Sequence, residues 1–183
     1  DQECGTVLYV GSDRKKEGLK DWYGNLTEEQ RKAIESVSMD MWPAFITATL
    51  ESIPEAEEKI AFDKFHVAKY LGEAVDKVRR QEHKALMSDG YEDLKGSKYD
   101  WLYNPENMTR KQKMRFKMLR DSTLKTARAW AIKELAMSLW HYVSKTWARK
   151  GWQQWLSWAV RSRLDPIKKV AKTIKEHLWG ILN

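Results

Sequence analysis

The chain has 183 residues, enough for one ordinary domain or for a small domain carrying a sizeable insertion. Apolar residues at 42% exclude a wholly disordered chain, and the lack of an apolar run of about 18 residues excludes a membrane span. A single cysteine, Cys4, excludes a disulfide framework and a Cys-rich zinc site, and the net charge of +7 is unevenly spread.

In chain order, residues 6–10 (TVLYV) read as a strand between Gly5 and Gly11. Residues 15–23 read as a helix. Thr27, followed by Gln30 three positions on, is a capping signal for a second helix to Glu35. Residues 36–41 (SVSMDM) are a short strand candidate. Pro43 fits the first turn of a helix running to Ser52, which Pro54 ends. Residues 59–62 (KIAF) form a third strand candidate, closed by Asp63. Strands stop there. Val67, Tyr70, Leu71, Ala74, Val75 and Val78 share one face of a helix over 67–87. Residues 88–107 are turn-rich around Tyr99, Trp101 and Tyr103. Thr109 caps a long helix from Arg110 towards Trp140, and another runs through a Trp-rich stretch to Arg163. Asp165-Pro166 opens the last helix, with Ile167, Val170, Ala171, Ile174, Leu178 and Ile181 inward and Lys168, Lys172 and Lys175 on the other side. The pattern is strand–helix–strand–helix–strand followed only by helices, which implies a parallel α/β part and then an all-α part.

Residues 108–183 hold 18 Lys and Arg against 4 Asp and Glu, a balance of +14, which leaves −7 for residues 1–107. A half-chain this basic points to a polyanion partner, most often nucleic acid, with a solvated, Lys-rich helix surface as the plainer reading. The chain opens on Asp1 without a charged leader and apolar h-region. No secretory signal is expected, and the start reads as the middle of something longer.

Three groups of residues could carry chemistry. Asp40 falls where a strand meets its loop, the place at which reactive groups gather in parallel sheets. A helix cap ahead of Pro43 is the plainer reading of an isolated acid there. Asp63 and His66 lie at i, i+3 and share a face; they could orient each other, bind a metal or touch a phosphate, while a cap and a packed histidine are the plainer reading. In the Trp-rich stretch, Trp140, Trp147 and Trp158 project together at 100° per residue with Trp155 nearby, and read as a core stripe. Trp152 falls off that stripe and is the better candidate for stacking on a nucleic-acid base. A Gly-rich phosphate loop, Gly-x-Ser-x-Gly and Cys-x-x-Cys are all absent.

The string Val37-Ser38-Met39-Asp40-Met41-Trp42-Pro43, then Phe62-Asp63-Lys64-Phe65-His66-Val67, changes the balance. So do residues 70–82 (YLGEAVDKVRRQE), 94–99 (LKGSKY) and Asn104-Pro105-Glu106-Asn107. Together and in order, they resemble bacterial insertion-sequence transposases of the ISL-three type, over essentially the whole chain. The resemblance implies an α+β chain: an incomplete ribonuclease-H-like core over 1–66, then a large helical insertion over 67–183, basic from about 108. It implies a DDE enzyme that cleaves and joins DNA with two divalent metals, Mg²⁺ or Mn²⁺. Asp40 matches the second acid of the triad and is the implied catalytic and metal-binding residue. The first Asp belongs upstream of Asp1, which looks only like the family's turn acid, and the Glu belongs beyond Asn183. Asp63 and His66 match an Asp-x-x-His element that precedes the insertion.

Hard Mg²⁺ takes oxygen ligands, which suits an acidic triad. Acids at one site repel DNA, so a basic surface must bring the duplex in, with Lys168, Lys172, Lys175 and Trp152 as the expected contacts. The expected partner is DNA, both transposon ends and target, in the cytoplasm and away from membrane, with a homodimer as one arrangement open to it. The fragment alone is expected to be inactive. The alternative is a non-catalytic basic helical module that grips DNA or RNA. A Lys- and Trp-rich helix lying on anionic lipid fares worst, because its apolar face is needed for a core.

Overall fold

The structure is a computed structural model that describes residues 4–103 and 105–183. It is α+β and mostly helical, and it divides into two compact units. The first comprises residues 4–66 together with His177–Asn183, and the second is Val67–Glu176.

In the first unit, α1 (Lys16–Gly24) packs along α3 (Pro43–Ser52). The buried Tyr23 hydroxyl lies 3.2 Å from the Thr49 hydroxyl, so each polar group has its partner inside the core. Between them, α2 (Glu28–Lys32) starts on a full capping box, with Thr27 and Gln30 each bonding the other's backbone N–H. It stops at Lys32, short of the predicted Glu35.

Lys16 and Lys20 each place an ammonium on Glu51, at 2.6 and 2.8 Å, and these bonds hold its carboxyl down to about 2 from the ordinary 4.5. A carboxyl depressed in the folded state stabilises the fold above its unfolded value, and that contribution is lost as pH falls. The tie between α1 and α3 should therefore weaken between about pH 4.5 and 2. Thermal unfolding followed over that window should fall less steeply in Glu51→Gln than in the parent, and added salt should shrink the difference, because the pair is exposed.

Strand β1 (Val37–Met39) pairs in parallel with β2 (Ile60–Phe62), in the register Val37↔Ile60, Ser38↔Ala61 and Met39↔Phe62. The crossover between them is α3 and then α4 (Ala56–Lys59), entered through Glu55 in the left-handed region at φ 58°. At the chain's other end, α11 (Leu178–Ile181) packs on β2 and α4. The Phe62 ring meets His177 and Trp179 edge-on, at 5.3 and 5.1 Å. The Asn183 amide donates to the carbonyls of Glu57 and Ile60. Gly180 makes this approach possible, since a Cβ there would sit 2.6 Å from the Phe62 ring. Residues 177–183, expected with the helical part, thus belong with the sheet.

Residues 6–10 form no strand, which corrects the expectation of a third. Val7 and Val10 are 76% and 81% exposed. A β-branched run becomes a strand only where a neighbouring strand takes its backbone groups, and among the described residues the sheet ends with β1 and β2.

The second unit is helical. Its elements are α5 (Lys64–Ser88) from Val67 onward, α6 (Lys98–Leu102), α7 (Arg110–Arg120), α8 (Lys125–Ser138), α9 (Lys145–Arg161) and α10 (Asp165–Glu176). The core uses the predicted α5 face, with Val67, Leu71, Ala74, Val75 and Val78 buried. Trp101, Phe116 and Trp130 make successive edge-on ring contacts at 5.4 and 5.1 Å, as aromatic quadrupoles favour. On α10, Ile167, Ala171 and Ile174 are buried as expected, with Lys168, Lys172 and Lys175 exposed.

The single helix expected from Arg110 to Trp140 is in fact two. Thr109 caps α7 through a box with Gln112, but Ser122 ends it by bonding the Leu119 carbonyl and then accepting the Leu124 N–H. Helix α8 restarts with no local side-chain cap. Its open N–H groups go instead to Glu82 of α5, whose carboxylate accepts from the Lys125 and Thr126 amides and the Thr126 hydroxyl at 2.7–2.8 Å. An anion at a helix N-terminus gains from both the donors and the dipole. Glu82→Ala should cost about 1–3 kcal/mol in denaturant unfolding. Glu82→Gln, which keeps an acceptor, should recover part of that loss.

Candidate metal-ligand site at the strand ends

Residue 40 follows β1 directly and residue 63 follows β2. The Asp63 amide donates to the Met39 carbonyl at 3.0 Å, which carries the parallel ladder one step past β2. Asp40 and Asp63 therefore leave the carboxyl ends of adjacent parallel strands, where a loop crevice forms in such sheets. They come together because the β1–β2 register is in phase, not because they are close in sequence.

The Asp40 side chain is 21% exposed and both its oxygens are engaged. Oδ1 accepts from the Trp42 amide at 3.2 Å, a turn that steadies the entry to α3. Oδ2 accepts from the Arg14 guanidinium at 3.0 Å. Arg14 also lies over the Trp42 and Phe45 rings, at 5.4 and 5.8 Å, and its carbonyl accepts from the Trp42 indole. Asp40 thus does not cap α3, whose N-cap is Trp42 with no side-chain cap bond; it holds the turn before the helix with one oxygen and a cation with the other. The Arg14 contact carried no sequence signal, because 26 residues separate the two.

Asp63 caps α5, with Oδ1 accepting from the Phe65 amide at 2.8 Å, and its Oδ2 lies 3.1 Å from His66 Nδ1. The i, i+3 pair is therefore formed, with each side chain partly exposed. Among the described residues, no three His, Cys, Asp or Glu gather as a metal site. Asp40 offers the hard oxygen that Mg²⁺ or Mn²⁺ takes, but one carboxylate already shared with Arg14 does not make a two-metal site. The residues present do not fit a complete metal centre. Asp1, the turn-acid match, and Asn104 lie outside the described residues.

The basic surface belongs to the second unit. Lys168 and Lys172 pair with Asp165 and Glu176 at 3.0 and 3.9 Å; such exposed pairs are weak and open readily to a stronger anion. Trp152 cannot stack on a base, which corrects that expectation. It is 2% exposed and meets Trp140 and Trp155 edge-on at 4.8 and 5.5 Å. The expected core stripe fails as well. Trp140 lies in a short 3-10 turn, Leu139–His141, ahead of α9, so counting 100° per residue across the break misplaces it, while Trp147 and Trp158 share a face of α9 that is the exposed one. The true buried face of α9 is Ala148, Trp152, Trp155 and Ala159, while Trp147 and Trp158 are 61% and 41% exposed. Sequence reading also passed over α7 as a surface. Arg110, Lys111, Lys113 and Lys117 are exposed there and make no ion pair among the described residues.

Comparison with known proteins places the chain in a class. A family model described as a transposase, of the DDE type of ISL3, matches residues 1–183. The transposase for insertion sequence element IS1001 of Bordetella parapertussis is 30% identical over 179 residues, covering 96% of this chain and 44% of that protein. The transposase for insertion sequence element IS1557 of Mycobacterium tuberculosis is 26% identical over 206 residues, covering 99% of this chain and 45% of that protein. No solved structure matches. The chain belongs to the ISL3-type insertion-sequence transposase family. It spans less than half the length of the curated relatives it matches. No helix among the described residues is long and apolar enough to cross a membrane.

Proposed function

We propose that this chain is the central part of a DDE transposase that cleaves and joins DNA strands, with Asp40 as one of its catalytic acids. The observation that carries the reading is the family match over residues 1–183 together with Asp40 at the carboxyl end of β1, beside the strand that ends at Asp63. On this reading the first unit is part of a ribonuclease-H-like core and residues 67–176 are a helical insertion within it. A divalent ion, Mg²⁺ or Mn²⁺, would be held by Asp40 with carboxylates from outside these residues, and would supply Lewis-acid stabilisation of the phosphodiester oxygens.

This chain's own residues do the remaining work. Arg14 neutralises Asp40 and holds it at the strand end. Asp63 fixes the start of α5 and orients His66. The acid-poor half draws in DNA, at transposon ends and target, against the repulsion of the acids. A non-catalytic binding module would explain the charge but not the family match. The test is transposition by a complete transposase carrying these residues, with Asp40→Ala expected at background.

A further inference from the structure

Helix α9 has an outer face that the core does not use. Trp147, Lys150, Gln154, Trp158 and Arg161 recur there at helical spacing, and all are exposed. Trp147 and Trp158 lie 11 residues apart, about 16.5 Å along the axis. Val143, just before the helix, is fully exposed. The Lys150 ammonium sits 4.9 Å from the Trp147 ring, yet the residue stays 61% exposed. Gly151, one turn on from Trp147, lets the Leu139–Tyr142 turn close against the flank of the helix beside that face, since a Cβ there would sit 2.8 Å from Leu139. The start of α9 is thereby buttressed while its outer face stays open.

We propose that this face of α9 binds single-stranded DNA, with Trp147 stacking on an unpaired base while Lys150 and Arg161 of the same face take phosphates of the strand. The inference rests on the reading of the chain as part of a DNA-acting transposase and names one surface of it. Charge selects the occupant. Residues 135–164 contain five Lys and Arg and no Asp or Glu, and Lys150 and Arg161 make no ion pair among the described residues. A second copy meeting this face by two-fold symmetry would set the same cations against each other. A blunt duplex supplies phosphates but keeps its base faces stacked, so an indole gains its full contact only from an unpaired base. Gln154 adds an exposed amide donor and acceptor to the face.

The experiment measures binding of the full chain by fluorescence anisotropy, at one salt concentration, to a short blunt duplex and to the same duplex with a single-stranded tail. The tail should raise the affinity of the parent. Trp147→Ala should remove that gain, roughly tenfold, and leave blunt-duplex affinity within about twofold. Trp147→Phe should keep most of the gain. If Trp147→Ala retains the gain while duplex binding persists, the inference is overturned and the DNA reading stands. If neither DNA binds, both fall. If Trp147→Ala turns a sedimenting dimer into a monomer without changing the tail gain, the face is a protein interface and the inference is overturned.

Discussion

Replacing Asp40 by Ala is expected to lower transposition by on the order of 10³-fold or more, because carboxylates that hold metals for in-line displacement act as a unit and one loss disables the rest. The substitution also removes two local contacts, the acceptor for the Trp42 amide and the partner of Arg14. Asp40→Asn separates the effects. Its amide oxygen can still accept from Trp42, so the turn into α3 survives, while the negative charge a metal needs is gone. Asn should therefore be as inactive as Ala but melt within a few degrees of the parent. Arg14→Ala removes the guanidinium and leaves the carboxylate in place, so it should cost far less than either. Activity retained in Asp40→Asn would assign Asp40 to the turn alone.

Affinity for duplex DNA should fall about 10³-fold between 50 and 200 mM salt. Each neutralised phosphate contributes about −0.9 to the log–log slope, and about six contacts suffice for that fall. The contacts are available on α7, where Arg110, Lys111, Lys113 and Lys117 stand exposed, and on α10, where Lys168, Lys172 and Lys175 share the outer side. Reversing Lys111, Lys113 and Lys117 to Glu should flatten the slope by about three phosphates' worth, with little change in unfolding, because only Phe116 of α7 is buried. A slope near zero for the parent would remove the polyanion reading.

What was legible in the sequence was local. The caps at Thr27 and Thr109 need only four consecutive residues, and both formed where they were expected, each as a capping box. The two strands that pair are short apolar runs, each followed by an acid, and the apolar face of α5 follows from its 3.6-residue period. What was not legible depends on distant partners. The gap between α7 and α8 is completed by Glu82, 43 residues before Lys125, and no window on 110–140 contains that information. Trp147 and Trp152 exchanged roles because helical period tells which rings share a face of α9 but not which face the rest of the unit covers. The acid at position 40 could be read as a helix cap or a ligand, and only the family resemblance tilted that choice. The structure adds Arg14, which the sequence did not connect to it.

The measurement closest to the central claim uses the purified 183-residue chain, supercoiled plasmid and Mg²⁺ or Mn²⁺, beside Asp40→Ala. If Asp40 is one acid of a site whose other carboxylates come from outside these residues, neither protein nicks the plasmid. Nicking by the parent that Asp40→Ala loses would show a complete site within the chain and contradict the account.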